Sequence, residues 1–322
     1  TPSLCRSLLA CGLVLLGSLA NAQAIDYPTR TIKFVLPFPS GSGTDQSARE
    51  AANDITRRTG QPVIVENKPG ANGLIAAQQV ARAAPDGYTV FITSMTTQSV
   101  NPFLYKKLPY DPVADFIPVA MISKTAMVLV VRNTEDQPKS VAELTARMQA
   151  AGSKLSFASG NTSSLVAGKT YSNAVSSPAL HVPYKGIPQA VTDLMAGAVD
   201  FMFSDLTVAT PLVQQGRLRG LGVTGPTRAS TLPDVPTMRE AGMPIELRVW
   251  AGAYVPAKTP HAVVVRLNEL LNQATQSKQG QERFKQTGGT VDTMSPEEFA
   301  KFNEQEVLFW GRAVRGAGIQ PE

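Results

Sequence analysis

Residues 31–45 read TIKFVLPFPSGSGTD: an apolar, β-branched run, a loop of Pro, Gly and Ser, and the opening of an amphipathic stretch that continues to about residue 59. A short apolar run of this kind fits a strand buried on both faces, and a Gly/Ser loop leading into a helix at its carboxyl end is the junction of a βα unit. Working outward, residues 62–66 (PVIVE) predict a second strand, 74–84 a helix and 88–94 (YTVFITS) a third strand. Strand–helix–strand–helix–strand at this spacing predicts a parallel sheet with helices on both faces. The pattern then restarts with a strand at 127–132 (MVLVVR), a helix at 141–151, a strand at 155–159 (LSFAS) and a second small polar loop before a helix at 165–175. Strands at 179–182, 199–203 and 218–223 alternate with helices near 188–196 and 207–215. A strand at 247–255 and a helical tail (260–275, 280–286, 296–315) complete the chain. The expected fold class is α/β, with two similar Rossmann-like lobes joined by chain crossings and no low-complexity linker between them.

Composition narrows the chemistry. The 322 residues suffice for two domains of ordinary size, and 17% charged residues with 25 Gly and 24 Pro describe a globular, loop-punctuated chain. The net charge of +5 comes without a Lys/Arg run, which weakly favours an anionic partner and gives no nucleic-acid groove. Both cysteines, Cys5 and Cys11, fall in residues 1–24, where Arg6, an apolar run over 8–19 and Ala20-Asn21-Ala22-Gln23-Ala24 have the form of a cleavable signal peptide. Cleavage is expected after Ala22 or Ala24. The apolar run is short for a bilayer span. Leu8-Leu9-Ala10-Cys11 is like a lipobox, but the apolar core continues past Cys11.

His181 and His261 have no Cys or His partner in sequence, and no G-x-S-x-G elbow or phosphate-binding P-loop occurs. Gly41-Ser42-Gly43 lacks the third glycine of a dinucleotide fingerprint, and Glu297-Glu298 suit the first turn of a helix through its dipole. No catalytic residue, metal ligand or cofactor is expected.

What remains is a matched pair of strand–polar loop–helix junctions: Phe38-Pro39-Ser40-Gly41-Ser42-Gly43-Thr44-Asp45 and Ser159-Gly160-Asn161-Thr162-Ser163-Ser164. At such a junction glycine lets the backbone approach a ligand, hydroxyls add donors, and the helix presents unpaired N–H groups to an anion. Thr44 and Ser163 or Ser164 are also good helix N-caps, so each loop alone has a purely structural reading. Two such loops at corresponding places in two lobes predict a shared anion site between them.

The chain from residue 25 onward resembles the Bug-type receptors, the periplasmic solute-binding components of tripartite tricarboxylate transporters. The resemblance rests on Tyr27-Pro28, Pro37-Phe38-Pro39 with Gly41, Gly43, Thr44 and Asp45, Val65-Glu66-Asn67-Lys68-Pro69-Gly70-Ala71 and Ala84-Pro85-Asp86-Gly87-Tyr88-Thr89. It continues through residues 104–116 (LYKKLPYDPVADF), His181-Val182-Pro183-Tyr184-Lys185-Gly186, Leu232-Pro233-Asp234-Val235-Pro236-Thr237, Glu240-Ala241-Gly242 and Ala317-Gly318-Ile319-Gln320-Pro321-Glu322.

The resemblance implies a periplasmic binding protein-like fold whose lobes close like a flytrap on a di- or tricarboxylate or an aromatic acid. It implies a discontinuous first lobe (25–125 and 247–322), a second lobe (126–246), hinges near 123–127 and 246–250, and delivery to integral membrane permease subunits by a monomeric receptor. Residues 40–45 and 160–164 become the two grips, with Ser159 beside the second. Ser94 and Thr97 in a 94–98 loop, together with Asp205, face the rest of the ligand. Phe38 and Trp250 are candidate cleft aromatics, although Trp250 reads equally as core, and Asp205 reads equally as the cap of the following helix. The family commonly has Pro-Gly-Gly-Gly at 40–43, His at Leu165, an acidic residue at Lys169 and Asp-Asn at Ser204-Asp205. Leu165 is therefore expected to make the pocket more apolar. The alternatives are a sensory binding protein serving a membrane kinase and a secreted α/β enzyme, which would need an acid/base pair that the sequence does not display.

Overall fold

The computed structural model describes residues 26–151 and 154–322; the expected signal peptide, with both cysteines and both cleavage positions, lies outside the described residues. Strand β1 (Ile32–Leu36) pairs in parallel with β2 (Val63–Asn67) and β3 (Thr89–Ser94), with α1 (Gly43–Thr59) and α2 (Leu74–Ala81) as crossovers. The alternation of the strand explains the layers. Ile32, Phe34 and Leu36 pack on Ala48, Ala51, Ala52 and Ile55 of α1, while Val35 points the other way, into the core that holds Ala76, Ala77 and Val80 of α2. Helix α1 starts at the Ser42 cap and stops at Gly60, whose φ of 71° is the left-handed C-cap that glycine adopts without a Cβ penalty. A fully buried side chain such as Phe34 contributes about 1.5–3 kcal/mol of hydrophobic stabilisation.

The second half repeats the arrangement with α3 (Val141–Ala151), β5 (Ser156–Ser159), α4 (Thr162–Ala174), β6 (Leu180–Pro183), α5 (Ile187–Ala196), β7 (Phe201–Asp205), α6 (Leu206–Gln214) and β8 (Leu218–Val223). β5 is parallel to β6 and β7. Phe157 stacks on Phe201 at 5.8 Å, and Tyr171 of α4 meets Phe201 edge-on.

Two long strands join the halves. β4 (Phe116–Arg132) pairs antiparallel with β9 (Arg248–Pro256) as far as Ala126, and from Met127 onward with β7, flanked on its other side by β8. β9 also pairs antiparallel with β3. Each sheet is therefore mixed, with a parallel set of three strands extended by antiparallel members, rather than purely parallel as expected. Helices α7 (His261–Thr275), α8 (Lys278–Thr287) and α9 (Pro296–Gly316) cover the first half, and Asn173 of α4 donates to the Ala317 carbonyl at 3.1 Å beyond α9.

Several expectations change. Residues 116–126 are strand, not connection: Pro118 and the polar Ser123-Lys124-Thr125 interrupt the apolar run, and the ladder absorbs them with register shifts at 118/120 and 121/123. The expected 94–98 loop is a buried π-helical turn at Thr96–Val100. Helix α4 begins three residues earlier than expected. The N-caps are Ser42 and Asn161, because those residues remain extended while Thr44, Ser163 and Ser164 already lie inside the helices.

Candidate functional site: a cavity between the two lobes

The β1–α1 loop is built around an inward-turned carboxylate. Asp45, only 2% exposed, accepts from the Gly41 N–H (2.9 Å), from Arg49 Nε (3.1 Å) and from Asn67 Nδ2 (2.8 Å). Burial alone would raise its pKa, but the hydrogen bonds from Arg49, Asn67 and Gly41 hold it below the ordinary carboxylate value. Ser42 Oγ accepts from the Asp45 N–H at 3.2 Å. The N–H groups of Gly43 and Thr44 then meet no acceptor among the described residues.

The β5–α4 loop reaches the same end without charge. Asn161 Oδ1 accepts from the Ser164 N–H (2.9 Å) and from Ser163 Oγ (2.9 Å), while Ser164 Oγ accepts from the N–H groups of Gly160 (3.1 Å) and Asn161 (3.2 Å). This capping box leaves the N–H groups of Thr162 and Ser163 without an acceptor among the described residues.

Both helix starts line one small cavity of about 40 Å³. Phe38, Ser42, Gly43 and Thr44 form one wall; Gly160, Asn161 and Ser163 form the other, with Ser94 beside them and Asp205 and Thr207 at the start of α6. The floor is the paired stretch of β4 and β9: Ser123 and Thr125 against Ala251, Trp250 and Val249. The two halves touch around it. A Cβ on Gly43 would lie 2.3 Å from Thr207 Oγ1, and one on Gly186 would lie 2.3 Å from Pro39.

Trp250 serves both of its readings. The residue is 2% exposed and its indole donates to the buried Glu306 at 2.9 Å, which Arg248 also pairs, yet Trp250 is among the residues that line the cavity. Behind the first loop, Arg283 of α8 donates to Ser47 Oγ at 2.8 Å and approaches the Gly43 carbonyl at 3.4 Å, while Ser47 Oγ donates to that carbonyl at 3.1 Å. The Gly43 carbonyl and the free Thr44 N–H belong to one peptide unit, so a cation on the carbonyl side polarises the donor on the cavity side.

Of the residues expected from sequence, the cavity gathers Phe38, Ser42, Gly43, Thr44, Ser94, Gly160, Asn161, Ser163 and Asp205. Ser159 and Thr162 line a neighbouring outer cavity of about 640 Å³, which shares Phe38, Gly160 and Asn161 with the first and adds Leu165, His181, Tyr184, Lys185 and Ile319. Ser40, Gly41, Asp45, Thr97 and Ser164 line neither: Asp45 and Ser164 are consumed in holding the loops, and Thr97 Oγ1 pairs with Thr93 at 2.7 Å. Leu165 belongs to the outer space, so it does not make the inner cavity apolar. His181 shares a 2.7 Å hydrogen bond with Ser159 Oγ and stacks on Phe157, and burial followed by the nearby Lys169 lowers its pKa. Pro39, Met95 and Gly186 lie in stretches that the sequence singles out without assigning them to the site, Ser123 and Thr125 are expected only in a hinge, and Ile187, Thr207 and Ala251 are missed, since they carry no motif of their own.

A family model for the tripartite tricarboxylate transporter family receptor, TctC, matches residues 47–319. The chain belongs to this receptor family. It is 36% identical over 314 residues to the UPF0065 protein of the tcbD–tcbE intergenic region of Pseudomonas sp. strain P51, covering 96% of this chain and 93% of the relative. The periplasmic binding protein BugD superposes with a TM-score of 0.87 at 34% identity over 92% of this chain and all of BugD. Rpa4515 of R. palustris, solved with adipate, gives 0.89 at 30% identity over 92% of this chain and all of the neighbour. The fold is thus that of a two-lobed periplasmic binding protein. Among the described residues of this receptor, no helix is long and apolar enough to cross a membrane, and no group of three or more His, Cys, Asp or Glu could hold a metal ion.

Proposed function

We propose that this receptor is exported to the periplasm, captures a small carboxylate between its two lobes as a monomer, and passes it unchanged to the membrane permease of a tripartite transporter. The observation that carries the reading is the convergence upon one cavity of Gly43 and Thr44 from one helix start and Ser163 from the other, whose N–H groups meet no acceptor among the described residues. Helix N-termini attract negative charge and offer donors that need no arginine clamp. The adipate held by the R. palustris neighbour supports the carboxylate class, and the likeness to BugD, a periplasmic binding protein, supports the compartment.

In this reading residues 26–125 and 247–322 form one lobe and 126–246 the other. The hinge falls where β4 exchanges β9 for β7, at Ala126 and Met127, and beside Arg248. The small inner cavity corresponds to closed lobes, so the ligand enters an open form and stabilises the closed one by touching both walls. A thermal-shift screen of mono-, di- and tricarboxylates tests the proposal: a hundredfold excess over Kd adds about 2.7 kcal/mol of stability. Absence of a shift with every carboxylate refutes it, and consumption of a bound acid refutes simple capture.

A further inference from the structure

A separate cavity of about 450 Å³ lies against the two strands that join the halves. Successive strand residues alternate between faces, so Ala126 and its partner Arg248 turn away from the face on which Thr125 and Val249 border the inner cavity. The backbone beside this second space is clamped at two places. Lys124 and Thr290 exchange N–H···O bonds of 2.6 and 2.7 Å, which tie β4 to the segment after α8. Beyond them, the buried Thr224 hydroxyl accepts from the Met127 N–H at 3.0 Å and donates to the Leu247 carbonyl at 2.6 Å. Between the two clamps lie Thr125 and Ala126 on β4 and Arg248 and Val249 on β9. Lys124, Thr290, Thr224 and Leu247 all line the cavity, so an occupant that touches both clamps spans the hinge.

The lining has an apolar body and cationic edges. Leu206, Val223 and Leu247 are buried, and the half-exposed Arg248 guanidinium stands 4.9 Å over the Phe309 ring. The ionisable residues of the lining are Lys124, Arg228, Arg248 and Glu246. The acids that pair with the three cations, Asp292, Glu240 and Glu306, do not line the space, and Glu246 is paired with Arg239. Three cations against one acid favour a negative occupant, and the apolar body favours one with a hydrophobic part.

We infer that the hinge cavity is a second ligand site, for an amphipathic organic anion, and that its occupation is coupled to carboxylate capture. The coupling rests on the two-lobed receptor reading above; the site does not. The cavity takes its shape from both lobes, with Leu206 and the 223–230 stretch on one and Gly288, Thr290 and Phe309 on the other, so affinity for its occupant depends on the angle between them. An anion that fits this cavity while the inner one is small favours the same closed arrangement as the carboxylate. Each ligand then tightens the other by the same factor.

The test is titration calorimetry of the receptor with naphthalenesulfonate and octanesulfonate, and with naphthalenemethanol as the uncharged match. Each is titrated alone and with the best-binding carboxylate at saturation. A sulfonate should bind with the carboxylate already in place, and naphthalenemethanol should bind at least tenfold more weakly. The carboxylate Kd should fall about fivefold or more with the sulfonate present, and the sulfonate Kd by the same factor with the carboxylate present. Ser230 is exposed and lines the cavity, so Ser230→Trp should weaken the sulfonate at least tenfold and still bind the carboxylate. Arg228→Gln should weaken the sulfonate several-fold, and thermal unfolding checks that both variants fold. Failure of both sulfonates to bind, their displacement by the carboxylate, equal binding of the alcohol, or an unchanged sulfonate Kd in both variants overturns the site. Sulfonate and carboxylate Kd values that ignore each other overturn the coupling. Failure of every carboxylate to bind overturns the receptor reading instead, and the sulfonate titrations of the unliganded protein still decide the site.

Discussion

The two loops that face the cavity do the same work with different materials. The first, after β1, is held by a charged network: Asp45 with Arg49, Asn67 and the Gly41 N–H, and Arg283 behind the Gly43 carbonyl. The second, after β5, is held by a neutral capping box of Asn161 and Ser164. Both arrangements leave two helix N–H groups free, so what they share is the set of donors rather than the residues. The difference lies in how each loop should fail.

The largest contrast comes from the two glycines. A Cβ on Gly43 meets Thr207 Oγ1 across the cleft, whereas one on Gly160 meets the Ile187 backbone nitrogen at 2.3 Å within its own half. Overpacking costs about 1–3 kcal/mol. Gly160→Ala should therefore lower the unfolding free energy by that amount in chemical denaturation. Gly43→Ala should leave unliganded stability nearly unchanged and weaken carboxylate affinity roughly 5- to 150-fold by calorimetry, at 1.4 kcal/mol per tenfold. Reversal of the two patterns would place the interface between the lobes elsewhere.

Next in size is the loop chemistry. Asp45→Asn removes charge-assisted hydrogen bonds worth about 1.5–3 kcal/mol, whereas Ser164→Ala removes a cap partner worth about 1 kcal/mol. The native Asp45 pKa is depressed, so its contribution is complete above the ordinary carboxylate value and is lost as pH falls through the native value. Denaturation of wild type and Asp45→Asn should thus converge in acid, while the Ser164→Ala deficit stays constant with pH.

A smaller effect belongs to Arg283. Arg283→Gln should reduce carboxylate affinity about two- to tenfold, the scale of one hydrogen bond of about 0.5–1.5 kcal/mol, with the Thr44 amide resonance shifted in the free protein. No change in either would limit Arg283 to packing α8 against α1. The smallest is Leu165→His: because Leu165 borders the outer cavity, affinities for short acids should change less than threefold and their ranking should hold.

Much of the fold could be read from contiguous patterns. TIKFVL, PVIVE and MVLVVR are apolar runs bounded by turn residues, and they became strands β1, β2 and the second half of β4. The first half of β4 was hidden because Pro118 and Ser123-Lys124-Thr125 break the run, and only pairing with β9 through two register shifts makes it strand. The loops of the site were legible as small-residue junctions. The resemblance offered both Asp45 and Asp205 to the ligand, and what separates them was not legible: Arg49 and Asn67 turn the first away, whereas no cation pairs with the second among the described residues. Ser123, Thr125 and Thr207 could not be found from motifs, since the long β4 and the meeting of the halves bring them to the site.

The most direct measurement is an amide NMR titration with the best-binding carboxylate, following Gly43, Thr44 and Ser163 together. All three proton resonances should move downfield in parallel with a single Kd, as donors from both lobes engage one anion. Shifts confined to one helix start, or saturation at two different Kd values, would contradict capture between the lobes.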